Sequence, residues 1–343
     1  MSMINTAVIV LNWNGKDSLK SCLDSLLAQS LKCTIFVVEN GSIDGSLEYL
    51  KKNYPQVRLI VNQVNLGFAG GANTGIRQVI NEKFTHVALF NNDAVAAKDW
   101  LKYLFKALLD NADTGIATCK LATADNTHLD STGDLYTTWG LPYPRGRGEP
   151  VGAQYDGQTN IFSASGGASL YRTKMLEEIG LFDEDFFAYY EDVDISFRAQ
   201  LAGWKVRYVP ESVAYHQIGA TSGKIKGFTT YQTIKNLPWI VVKDVPKGLI
   251  GTVLPRFLLA YSSFIGQAIL RGQGWTALKA LSVSIRKLPK KLRERKLIQS
   301  QKTASLDYIS NLLTHDLPPN AYNLRRVRYW WWRLKGKHEK NSY

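Results

Sequence analysis

Three short clusters in this 343-residue chain have the residue types and spacing to do chemistry together. Asn91-Asn92-Asp93 follows the apolar run 87–90 directly. Glu191-Asp192, with Asp194 two residues on, opens a stretch of helical spacing over 193–201 that ends at Gly203. His216 comes after the strand-like WKVRYV and the turn PES. A hard divalent cation takes oxygen ligands and commonly bridges to phosphate, so Asp93 with phosphate oxygens and water makes a workable site. Tyr189 and Tyr190 precede the acidic pair and predict a partly dry wall, which raises a carboxylate's pKa towards that of a useful base. Each cluster also has a plain structural explanation. Asn and Asp are common in turns after strands, acidic residues in a first helical turn are stabilised by the backbone dipole, and a lone histidine commonly serves structure.

The surrounding elements decide whether these clusters meet. TAVIVLNW reads as a buried strand, and KDSLKSCLDSLLAQS as a helix with Leu19, Leu23, Leu26 and Leu27 on one face. CTIFVVEN is a second strand, followed by a short helix through Leu47 and Leu50. VRLIV, HVALFNND and TGIATC are further strands, separated by helices over GFAGGANTGIRQVI and AAKDWLKYLFKALLD. This alternation predicts an α/β unit with a mostly parallel sheet and helices on both faces. Ligands bind beyond the carboxyl ends of such strands. Asn12-Trp13-Asn14, Glu39-Asn40 and Asn91-Asn92-Asp93 all fall on that edge.

NLGFAGGANTG lacks both the dinucleotide fingerprint and the GK[ST] of a phosphate loop. Two readings stay open: Gly67, Gly70 and Gly71 serve a turn and tight helix packing, or they let amides and a helix start near Ala69 approach a negative ligand. The three cysteines fit no metal spacing and are expected to be reduced packing residues in a cytoplasmic protein. The first apolar run, 7–11, has the length of a strand, so neither a signal peptide nor an anchor is expected there.

Charge divides the chain. Residues 223–343 carry 23 Lys and Arg against 5 Asp and Glu, whereas residues 1–222 are net −5. The expected domains are 1–222 and a basic helical region, 223–343. Within the second, 249–270 is long and apolar but interrupted by Pro255 and Arg256, so a full membrane span is not expected. Leu278, Leu281, Ile285, Leu288 and Leu292 recur at helical spacing among Lys279, Arg286, Lys287, Lys290, Lys291 and Arg293, which predicts an amphipathic basic helix with a kink at Pro289. RRVRYWWWRLKGK has a composition suited to the headgroup interface. The aliphatic stripes favour an anionic membrane surface over nucleic acid, which is not an expected partner; a solvated appendage is the bland alternative.

Taken in order, VIVLNWNG, VVENGSIDGS, NLGFAGGANTG, LFNNDA, SGGASLYR with GLFDEDFFAYYEDVDISFRAQLAGW, and AYH resemble the inverting glycosyltransferases of family 2, across about residues 6 to 216. Within that family the chain looks most like bacterial rhamnosyltransferases that build surface polysaccharides on lipid carriers. The resemblance implies a nucleotide-sugar-binding fold of the GT-A type and transfer of a sugar, best guessed as L-rhamnose from dTDP-rhamnose with UDP-sugars as alternatives, to a lipid-linked glycan. It implies that Asn12, Asn14 and Glu39 line the base and ribose pocket, with Glu39 where the family usually has Asp, and that Asn65, Asn73 and Asn92 lie near the nucleotide. Asn91 stands at the first acidic position of the family's DxD motif. Asp93 and His216 would hold Mn2+ or Mg2+, Asp192 would be the general base with Glu191 the runner-up, and Gly166, Gly167 and Tyr190 would meet sugar or acceptor. A cytoplasmic enzyme on the inner face of the membrane is implied, and a homodimer is left open. The competing readings are a non-catalytic nucleotide-sugar or polysaccharide-binding module, motivated by Glu39 and Asn91, and a nucleotide-dependent oxidoreductase, disfavoured by the missing GxGxxG.

Overall fold

The computed structural model describes residues 5–217 and 225–318. In chain order it contains β1 (Thr6–Asn12), α1 (Lys16–Leu27), β2 (Thr34–Asn40), α2 (Ser46–Asn53), β3 (Arg58–Asn62), α3 (Gly67–Asn81), β4 (His86–Asn91), β5 (Ala94–Ala96) and α4 (Trp100–Asp110). Then follow β6 (Thr114–Thr123), β7 (Leu129–Ser131), β8 (Asp134–Thr137), β9 (Pro142–Pro144), β10 (Ala168–Arg172), α5 (Thr173–Ile179), a 3-10 turn (Glu184–Phe186), α6 (Glu191–Leu201) and β11 (Lys205–His216). The last described elements are α7 (Phe228–Lys243), α8 (Lys247–Leu270), α9 (Gly274–Ser300), α10 (Leu306–Leu312) and β12 (Leu313–Thr314). The RRVRYWWWRLKGK segment lies outside the described residues.

The main sheet runs β3-β2-β1-β4-β10-β6-β11-β5, with β7 on β6. β3, β2, β1 and β4 are parallel, as their near-continuous apolar runs predict. β10 was not foreseen: it lies antiparallel between β4 and β6, so the sheet is mixed. β11 runs parallel to β6 and differs from expectation too. PES is no turn; it is an irregularity within one long strand, where the register slips between Val209 and Val213. β8, β9 and β12 make a small second sheet that joins the 130–144 region to the end of α10.

Helix packing follows the apolar faces. α1 packs on β5 and buries Leu19, Cys22, Leu23 and Leu26 in a core shared with β1 and β2. α3 starts at Gly67, and its glycines serve packing. A Cβ at Gly71 would stand 2.4 Å from Leu11 Cδ1, and one at Gly75 2.9 Å from Ile9. The Ala69 amide donates to the Phe187 carbonyl at 3.1 Å, so it does not face a negative ligand.

A second core joins Phe186, Val193 and Phe197 to Trp239, Ile240, Val253, Phe257 and Ala280 of α7–α9. Inside it, Lys243 and Lys291 are fully buried among carboxylates. Lys243 Nζ lies 2.6 Å from both Asp183 and Asp194, and Lys291 Nζ 2.5 Å from Asp183 and 2.8 Å from Asp185. Removing one partner from such a pair costs about 3–5 kcal/mol, because the other charge stays buried. This lysine changes the reading of α9. Its inward face is Ala277, Ala280, Ser284 and Lys291, while Leu278, Ile285 and Leu292 of the expected apolar stripe are exposed. The helix continues through Pro289.

Candidate active site

The sheet places the polar strand ends on one edge through its register. Asn12 pairs with Glu39, Leu11 with Asn91, and Asn40 with Asn62. Glu39 is buried, and its carboxylate accepts from Asn12 Nδ2 at 2.7 Å, from Ser46 Oγ at 3.0 Å, and from the amide and hydroxyl of Ser42. Asn92 Nδ2 donates to Asn12 Oδ1 at 2.8 Å. Asn14, at φ 50, joins the group by accepting from Ile43 N–H and donating its own N–H to Ser42 Oγ. Asn12, Asn14, Glu39 and Asn92 therefore form one network, in which Glu39 organises its neighbours. The loop passes close enough that a Cβ at Gly15 would stand 2.0 Å from Asn92 Nδ2.

Asn65 and Asn73 have separate engagements. Asn65 Oδ1 accepts from Asn40 Nδ2 at 3.1 Å and from Gly67 N–H at 2.8 Å, closing the turn into α3. Asn73 donates to Phe182 O and Glu184 Oε1 and accepts from Phe182 N–H, so its amide braces the 182–184 segment.

At the other end of the edge, β11 lies antiparallel to β5 with His216 opposite Ala94. His216 Nε2 thereby comes 3.1 Å from Asp93 Oδ1 and 3.4 Å from Asn91 Nδ2, while Nδ1 lies 2.8 Å from Asp130 Oδ2. Burial works against charge on this imidazole, but the hydrogen bonds and charges of Asp130 and Asp93 outweigh it and push the pKa up to about 9. Asp130 in turn meets Arg147 at 2.8 Å. An imidazole held at Nδ1 by a carboxylate, with Nε2 aimed at a second carboxylate, is a donor set that suits a divalent cation. Asp183, Asp185 and Glu294 also converge, within 4.8 Å of one another. Lys243, Lys287, Lys290 and Lys291 already neutralise them, so that group is an ion-pair core.

Asp192 sits in the first turn of α6. Its Oδ2 accepts from Gly166 N–H at 3.0 Å and its Oδ1 from Val193 N–H at 2.9 Å. Burial raises its pKa, and those two donors oppose the rise. Glu191 is 6% exposed and its Oε2 has no hydrogen-bond partner; burial and the charge of Asp192 hold its pKa well above the ordinary range. Gly166 and Gly167 connect the two ends. Gly167 O accepts the Asn91 amide at 2.8 Å, while Gly166 N–H holds Asp192. A Cβ on Gly167 would stand 2.9 Å from Asn91 Nδ2. Tyr190 turns its hydroxyl to Thr233 at 3.4 Å.

Three participants escaped sequence reasoning: Asp130, Asp134 and Arg147. Asp134 pairs with Ser163 through the backbone, and the Ser163 hydroxyl reaches the Asp192 carbonyl at 3.3 Å. Burial of its carboxyl and the charge of Asp192 push Asp134 up to about 8. DSTGD carries no periodicity that separates it from an ordinary turn. In the metal-free protein, Asp130→Asn should lower the His216 pKa by removing a charge it faces. A ring-proton NMR titration checks this; an unchanged value near 9 would contradict the assigned cause.

Known proteins agree with this architecture. The profile of the family described as glycosyltransferase like family 2 matches residues 5–233. The N-acetylglucosaminyl-diphospho-decaprenol L-rhamnosyltransferase of Mycobacterium tuberculosis is 26% identical over 237 residues, covering 63% of this chain and 77% of the relative. The dTDP-rhamnosyl transferase RfbF of Shigella flexneri is 24% identical over 224 residues, covering 65% and 72%. Among solved structures, the mannosyltransferase PcManGT of Pyrobaculum calidifontis, in complex with GDP-Man and Mn2+, superposes with a TM-score of 0.52 at 15% identity over 87% of this chain and 84% of its own. S. aureus TarS 1–349, in complex with UDP, does so with 0.52 at 17% identity over 99% and 94%. The structural likenesses establish a GT-A fold, and the profile match over most of the chain shows that it belongs to glycosyltransferase family 2.

Proposed function

We propose that the protein is an inverting, metal-dependent glycosyltransferase. Its best-supported donor is dTDP-L-rhamnose, and its acceptor a lipid-linked saccharide in cell-surface polysaccharide synthesis. The observation that carries this reading is the pairing, through Gly166 and Gly167, of a carboxylate held by two amides with the Asp93–His216 end of the strand edge. The rhamnosyl relatives support the choice of donor.

In this reading the nucleoside rests on the Asn12, Asn14, Glu39 and Asn92 network, and its diphosphate lies towards Asp93 and His216. A divalent cation, Mn2+ or Mg2+, held by Asp93 and His216 would neutralise charge on the departing diphosphate. Asp192 takes the proton of the acceptor hydroxyl as that oxygen attacks the anomeric carbon. The carbon–oxygen bond to the diphosphate breaks, and the nucleoside diphosphate leaves with the electron pair. Direct attack from the opposite face inverts the centre without a covalent enzyme intermediate. Asp192 suits the role better than Glu191. Its hydrogen bonds favour the ionised form, whereas Glu191 is buried in conditions that keep it neutral. Gly166, Gly167 and Tyr190 would then border the sugar and acceptor. Residues 1–222 would form the catalytic unit and 223–343 a region for membrane or partner association.

The outer faces of α8 and α9 favour a membrane. Leu258, Leu270, Trp275, Leu278, Ile285 and Leu292 are exposed there. Glu294 is the one acidic residue among eleven Lys and Arg in 247–300. Among the described residues only α8 is long and apolar enough to cross a bilayer. It buries Leu249, Val253, Phe257 and Ala260 in the protein, which suits lying on the surface. An apolar face rimmed by cations fits the cytoplasmic leaflet of an anionic membrane.

Three outcomes are expected. Asp192→Asn should keep nucleoside diphosphate affinity and lose about 10²–10⁴ in transfer rate, read with dTDP-rhamnose and a polyprenyl-diphosphate saccharide; near-normal turnover would move the base elsewhere. Because His216 is protonated at pH 7 in the metal-free protein, the cation must displace a proton. Apparent metal affinity by calorimetry should therefore rise about tenfold per pH unit and level off near 9; a flat profile would contradict His216 as ligand. In flotation, liposomes with anionic lipid should carry the protein, and Ile285→Glu should release it; no binding to either liposome type would count against the membrane.

A further inference from the structure

The segment that leads into the acidic pair has an improbable backbone. Phe187, Tyr189 and Tyr190, all bearing bulky side chains, have φ of 64°, 69° and 73°. Such residues rarely enter this region unless their surroundings enforce it. The enforcement is visible in the carbonyls of 185–189: Phe186 O accepts the Ala188 amide within the segment at 2.7 Å, and every one of the five also meets a donor from outside it. Asn236 of α7 donates from Nδ2 to Phe186 O at 3.0 Å, Ala188 O at 2.9 Å and Tyr189 O at 2.9 Å. Lys235 Nζ reaches Asp185 O and Phe186 O, each at 3.1 Å, and the Ala69 amide takes Phe187 O. The hydroxyls of Tyr189 and Tyr190 meet Thr229 and Thr233 of the same helix. Asn236 is fully buried and Lys235 nearly so.

We propose that Asn236, with Lys235, is a positioning residue: it imposes the left-handed turn that aims the first turn of α6, and with it Asp192, at the strand edge. The α6 start depends on this turn directly, because the Asp194 amide donates to Tyr190 O at 2.9 Å. The helical region beyond residue 222 thus supplies part of the geometry of the site, which its composition did not suggest. A fully buried Asn whose amide nitrogen faces three carbonyls does for that turn what an aliphatic residue in its place could not.

The inference rests on Asp192 as the base, and the test separates the two. Asn236→Leu keeps the branched shape of the side chain and removes the donors. Calorimetry with dTDP and UDP counts folded sites, transfer from dTDP-rhamnose gives kcat per site, and amide exchange reports the loop. Expected are nucleotide affinity within twofold, kcat lower by at least about tenfold, and faster exchange over 186–194 with β1, β2 and β4 unchanged. If Asn236→Leu does not fold, Asn236→Ser, which retains one donor, should show the same split at about threefold. A kcat within twofold and unchanged exchange would overturn the proposal, as would nucleotide affinity falling in parallel with kcat. Full transfer by Asp192→Asn would remove its premise; loss of transfer there, with normal Asn236 variants, would overturn this inference alone.

Discussion

Backbone groups of two successive glycines hold the candidate site together. The Gly167 carbonyl takes the amide of Asn91 at the end of β4, and the Gly166 amide takes the carboxylate of Asp192 at the start of α6. These bonds tie the polar edge of the sheet to the carboxylate through two glycines in sequence. Side chains would intrude here: at Gly167 on Asn91, and at Gly166 on Phe68 at 3.1 Å. Because β10 begins at the next residue and is wedged between β4 and β6, the bridge is anchored in the middle of the sheet. The unforeseen antiparallel strand is thus what sets the separation of the two halves.

Electrostatics imposes a second constraint. Asp183, Asp185 and Asp194 flank the turn that leads into α6, and alone they would repel one another in a poorly solvated place. The buried ammoniums of Lys243 and Lys291 compensate them. Both lysines come from the helices beyond residue 222, so the acidic sequence around Asp192 needs a basic partner to fold against. Part of the charge asymmetry between the two regions is therefore internal complementarity. Other cations of α9, Lys279, Arg286 and Arg293, are exposed beside Leu278, Ile285 and Leu292.

The strand edge was legible because continuous β-branched runs end in Asn, Glu and Asp, and a parallel register brings such ends together. Asp93 and His216 could be matched through the family resemblance, and β5–β11 pairing provides the physical reason they meet. Residues 124–165 were not legible: β7, β8 and β9 are three or four residues long, too short to show a period. Asp130, Asp134 and Arg147 were lost with them. The inward face of α9 was misread because a buried lysine takes the place of a leucine there. Asn236 gave no signal either, since its partners are carbonyls, which carry no residue identity.

In the proposed enzyme, Asp93 and His216 form one end of a site whose other end is Asp192. The most direct test is the initial rate of nucleoside diphosphate release from dTDP-rhamnose by Asp93→Ala, with a polyprenyl-diphosphate saccharide present and Mn2+ or Mg2+ titrated. Both the rate and its response to metal should be lost while the protein stays folded. Transfer at the wild-type rate with full metal dependence would contradict it.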